Sequence, residues 1–107
     1  MASRRKTSRP FDTSKYLDSD EAIAAFITEA LATDEQDTIT RAVGAAAKAR
    51  GMSEIARATG LSRESLYKAL SGSGRPQFET VNLVLRALGL RLRAEPARTG
   101  NKGKRAA

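Results

Sequence analysis

Residues 53–70, SEIARATGLSRESLYKAL, hold two short apolar-periodic runs separated by Gly60. In the second run Leu66, Ala69 and Leu70 share one helical face, which leaves Ser62, Arg63, Glu64, Tyr67, Lys68 and Ser71 on the other. The chemistry of that second face is recognition. A guanidinium pairs bidentately with guanine O6 and N7, an ammonium suits phosphate or guanine, and a phenol reaches a phosphate or presses on a thymine methyl. Arg63 is therefore read as a base reader, with phosphate holding as its alternative, and Arg75 in the following loop as a phosphate contact. Glu64 departs from what an anionic partner prefers. It reads first as a counter-charge to the positive end of its own helix, and second as an acceptor for cytosine N4.

Catalysis finds little support. The chain has no histidine and no cysteine, so the commonest general base and the thiolate ligands of zinc are both missing. Serines and glutamates are present, but no Gly-rich phosphate loop joins a strand to a helix. The expectation is a non-enzyme with no cofactor and no metal. The basic N-terminus is followed by no apolar h-region, and no apolar run is long enough to cross a bilayer, which points to a soluble cytoplasmic protein.

The net charge of +7 is unevenly spread. Residues 1–16 sum to +4, residues 17–40 carry seven acids with no Lys or Arg, and residues 41–107 sum to +10. A basic half that contains the 53–70 runs suits a nucleic-acid surface. The acidic block is either a solvated helix face or a surface complementary to a basic protein, with Asp34, Glu35 and Asp37 at its centre.

The elements that must position these residues can be laid out along the chain. Residues 1–10 read as a disordered basic arm, 11–96 as one domain and 97–107 as a disordered basic tail. Phe11, Tyr16 and Leu17 are possible docking groups between the arm and the first helix. Asp18 with Glu21 resembles a capping box, and Ile23, Phe26, Ile27, Ala30 and Leu31 fall on one stripe. Thr33 and Gln36 repeat the start signal, Ile39, Val43, Ala46 and Ala47 face inward, and Gly51 closes the second helix. Gly44 inside it suggests a close helix approach. Ser53 and Ser62 are the expected caps of the helices 53–59 and 63–71. Phe78, Val81, Val84, Leu85 and Leu88 form the inner face of a fifth helix that Gly89 ends. Residues 90–96 alternate apolar and charged residues with strand periodicity, placing Leu90 and Leu92 on one face of a strand that must find a partner.

The run SEIARATGLSRESLYKALSGSGRPQFETVNLVLRALGL resembles the helix-turn-helix of Cro/repressor-type regulators, with Ala56, Gly60, Leu61, Leu66 and Ala69 at the motif's core positions and the motif itself spanning 52–71. The frame from FDTSKYLDSDEAIAAFITEAL through GLRLRAEP is similar to HigA-like addiction module antidote proteins, a likeness covering about residues 9–96. The resemblance implies an all-α, five-helix domain with a short C-terminal β-strand that pairs across a dimer. It further implies an antitoxin that neutralises a RelE/ParE-like toxin of HigB type and represses its own operon. Double-stranded DNA with a palindromic operator, the toxin and a second copy of the chain are then the expected partners, in the cytoplasm and at the nucleoid. The alternative is a stand-alone Cro/repressor-type regulator with no toxin.

Overall fold

The computed structural model describes residues 17–97. The basic arm, Phe11, Tyr16 and all of the tail beyond Ala97 lie outside the described residues. Five helices follow one another: α1 (Asp20–Ala32), α2 (Gln36–Arg50), α3 (Met52–Thr59), α4 (Arg63–Ala69) and α5 (Phe78–Ala87).

Local signals set the boundaries. Ser19, one residue after the expected start, caps α1 by accepting from the Ala22 N–H at 3.1 Å. Thr33 closes α1 instead of opening α2: its hydroxyl donates to the Ala30 carbonyl at 2.7 Å and accepts from the Glu35 N–H at 3.1 Å. Asp34 then takes a left-handed conformation (φ 58°), which its short polar side chain tolerates, and α2 begins two residues on. Gly51 serves both helices it separates. Its N–H reaches Ala47 and its carbonyl receives Ile55, so Ser53 sits inside α3 and is not its cap. At the end of α5 the Leu90 N–H bonds to the Leu85 carbonyl and the Gly89 N–H to that of Arg86, the Schellman pattern.

The core gathers one stripe from each helix. Ile23 of α1, Val43 of α2, Ile55 of α3, Leu66 of α4, and Val84 with Leu88 at α5 are essentially sealed from solvent. The helix α3 is central and touches α2, α4 and α5, whereas α1 packs chiefly on α2. The crossing near the α4 C-terminus is close: a Cβ on Gly44 would lie 2.8 Å from the Leu70 carbonyl oxygen. The glycine's propensity cost, about 1 kcal/mol against Ala, is thus the condition for α2 to lie this near α4. Arg50 joins three elements, donating to Asp20 at 2.8 Å and to the Leu88 carbonyl at 3.4 Å.

Three further sequence expectations need correction. Phe78 is 71% exposed; the first turn of α5 overhangs the packed layer, and Val81 one turn later is only half-buried. Leu31 is exposed as well, in the last turn of α1. Residues 90–97 form no strand. The Leu90 N–H is spent on the α5 cap, Leu90 packs half-buried on the core, and Leu92 stays 38% exposed. The segment lies along α1 beside Ala24, Ile27, Thr28 and Leu31, with no neighbouring ladder to extend among the described residues.

Candidate nucleic-acid interface

The unit that could read a duplex is α3, a three-residue turn, and α4. Its turn is built from side chains close in sequence. The Thr59 hydroxyl donates to the Ile55 carbonyl at 2.8 Å and accepts from the Leu61 N–H at 3.2 Å. Gly60 takes φ 80°, where a Cβ would be strained even though nothing lies near it. Leu61 packs half-buried on the core, and the Ser62 Oγ accepts from the Ser65 N–H at 3.0 Å as the expected cap of α4.

This wiring directs α4 outward. Leu66 and Leu70 are buried and Ala69 is half-buried, while Ser62, Arg63, Glu64, Tyr67 and Lys68 are exposed together on the far side. Ser71 and Arg75 are exposed in the loop that follows. A single α-helix presented in this way fits the width of a B-DNA major groove, about 12 Å. The two serines differ from the charged residues in availability. Ser62 is committed to its cap and to a 2.9 Å bond with the Ser65 hydroxyl. The Ser71 hydroxyl donates to the Lys68 carbonyl at 3.1 Å and accepts from the Gly74 N–H at 3.1 Å, so it shapes the loop that carries Arg75. Arg63, Lys68 and Arg75 have no carboxylate partner: among the described residues the only ion pair joins Arg50 and Asp20. Glu64 stands in the first turn of α4, where its charge complements the helix end.

Two basic residues of this face are absent from the sequence reading. The Lys48 ammonium of α2 sits over the Tyr67 ring, 5.9 Å from its centroid, within reach of a cation–π contact. The Arg41 guanidinium lies against Gly72 in the loop after α4. Arg41 and Lys48 are seven residues apart, two helical turns, so periodicity alone places them on one stripe of α2. That this stripe borders α4 is a tertiary fact. Lys48 thus adds a cation at Tyr67, and Arg41 adds one at the loop that carries Arg75, to the exposed Arg63 and Lys68 of α4.

The acids singled out from sequence lie elsewhere. Asp34, Glu35 and Asp37 are exposed at the α1–α2 turn, and Glu35 accepts from the Thr38 hydroxyl at 2.9 Å. No group of three or more metal-ligating side chains is assembled among the described residues, and none of the described helices is long and apolar enough to cross a membrane.

Comparison with known proteins adds a family. Residues 7–96 match the family described as "probable addiction module antidote protein". A Haemophilus influenzae protein described as "Uncharacterized protein" is 46% identical over 90 residues, covering 84% of this chain and 93% of the relative. No solved structure matches the chain.

Proposed function

The chain belongs to the family of probable addiction module antidote proteins, and from that premise we propose that it is a non-enzymatic antitoxin with two partners: a RelE/ParE-like toxin of HigB type, which it neutralises, and the operator of their shared operon, which it represses as a homodimer. Membership of an antidote family implies the toxin. The DNA half of the reading rests on one observation, the outward face of α4, where Arg63, Tyr67 and Lys68 are exposed together and neither cation has a carboxylate partner among the described residues. In this reading the unit 52–71 is a HigA-like, Cro/repressor-type helix-turn-helix: α3 braces, α4 enters the major groove, and two copies place their α4 helices about one turn of DNA apart, near 34 Å. The protein then works in the cytoplasm, at the nucleoid.

Each residue has a distinct task. Arg63 reads a guanine edge, and Lys68 and Arg75 hold phosphates. Lys48 holds the Tyr67 ring from behind and adds positive charge at the groove's edge. The exposed apolar side chains Leu31 and Leu92, which both line the cleft between α1 and the 89–93 segment, supply the contact for a second copy.

Co-expression with the neighbouring small reading frame tests the whole reading. This chain should rescue growth, co-purify with the frame's product, and do so as an assembly holding two copies of the chain. Absence of rescue removes the antitoxin assignment; a stable 1:1 complex with no self-association removes the homodimer.

Operator binding separates the residue roles. Lys68→Ala and Arg75→Ala should weaken all DNA sequences alike and lower the salt slope by about 1 for each lost phosphate contact. Arg63→Ala should instead relax preference at one base pair, at roughly 1–3 kcal/mol. Should Arg63→Ala weaken every sequence equally in a competition shift assay, Arg63 is a phosphate clamp.

A further inference from the structure

The α1–α2 pair leaves an open groove of about 440 Å³ on the side of the fold that carries the acids. Its floor is made of small residues, Ala30 on α1 with Ala42 and Ala45 on α2, and Phe26 lines one wall. No side chain of the described residues fills it. Glu29 stands at its rim, and Asp34, Glu35 and Asp37 are exposed at the turn that joins the two helices. Arg41 also lines the groove, but its guanidinium is laid on Gly72, toward the loop after α4. It therefore marks the border between this groove and the basic face.

We propose that this groove is the seat of the toxin, which inserts an apolar side chain between α1 and α2 while basic residues around it meet Glu29, Asp34, Glu35 and Asp37. The proposal rests on the antitoxin reading above and adds where that partner docks. Charge selects the occupant. Glu29 at the rim and Asp34, Glu35 and Asp37 at the adjoining turn outnumber Arg41, the one cation of the lining, whose guanidinium is turned to Gly72, so DNA is repelled from this side and a basic protein is attracted. A second copy is disfavoured, since a two-fold contact sets each acidic surface against its own image. The apolar floor then supplies the buried anchor that long-lived complexes need, and the acids act mainly on the rate of encounter.

The test measures binding of the full chain to the immobilised, purified product of the neighbouring small reading frame. Ala45→Phe, which fills the groove from α2, should speed dissociation by about tenfold or more, because interface changes act mostly on the off-rate. Glu29→Lys, on the exposed rim, should slow association several-fold at low salt, with the difference vanishing at high salt. Both variants should keep the parent's circular dichroism spectrum and its operator shift. Parent-like rates for both variants overturn the proposal, as does an Ala45→Phe chain whose sedimentation mass changes while its toxin rates do not, for the groove then belongs to a second copy. Should Ala45→Phe fail to fold, Glu29→Lys decides alone. A parent chain that does not bind the product at all overturns the antitoxin reading itself, and this proposal with it; groove variants that bind normally beside a binding parent overturn only the groove.

Discussion

Lys68→Glu should abolish operator binding and leave toxin neutralisation intact. Lys68 is exposed on the outward face of α4, has no carboxylate partner among the described residues, and offers its charge to whatever approaches that face. Reversal removes one phosphate contact and adds a repulsion at contact distance. Even with the strong screening of an exposed site, the change should exceed about 100-fold in affinity, on the order of 3 kcal/mol. The groove between α1 and α2 contains neither Lys68 nor any other residue of α4. Operator shift and growth rescue measured on the same variant should therefore part company. If the Lys68→Glu protein is folded by circular dichroism yet no longer neutralises the toxin, the two binding surfaces overlap and the division between α1–α2 and α4 is wrong.

A change one or two positions away should have the opposite character. Leu66 is 0% exposed and is the side chain by which α4 enters the core; its immediate neighbour Tyr67 is 43% exposed. Leu66→Ala removes a fully buried side chain from a small domain, at a cost of roughly 2–5 kcal/mol. For a domain of this size total stability is on the order of 5–10 kcal/mol, so the variant should melt about 10 °C or more below the parent and lose DNA and toxin binding together. Tyr67→Ala should shift the melting temperature little, since it gives up one long cation–π contact worth about 0.5–1 kcal/mol, while weakening operator binding. Thermal melts of the two variants are the measurement. Equal melting temperatures would mean that α4 is not pinned through Leu66, and the outward orientation of Arg63 and Lys68 would lose its structural basis.

How much of this was legible in the residues divides along the range of the interaction concerned. The five helices, the Gly60 turn, the Ser62 cap and the inward Leu66 follow from capping chemistry and 3.6-residue periodicity, which act within a turn or two of chain. Gly44 belongs with them in part: the oddity of a mid-helix glycine was visible, and the Leu70 carbonyl that explains it was not. The face bearing Arg63, Tyr67 and Lys68 was legible because a pinned helix presents whatever lies opposite its apolar stripe.

Where periodicity failed, the outcome depended on a neighbour remote in sequence. The apolar stripe of α5 points Phe78 inward, but no helix among the described residues covers it, and it stays 71% exposed. The alternation at 90–96 is compatible with a strand, yet a strand exists only with a partner ladder, and here the Leu90 N–H bonds back to α5 while the chain lies on α1. Lys48 over Tyr67, Arg41 against Gly72 and the Arg50–Asp20 pair each join residues that no local rule relates. Sequence by itself determined the helices, their buried stripes and the separation of acidic from basic charge, because hydrogen bonding and hydrophobic spacing along one helix are local. Tertiary structure alone decided that α2 lends its cations to the α4 face and that α1 and α2 leave a groove beside the acids, because both depend on which helices become neighbours and how closely their small residues let them approach.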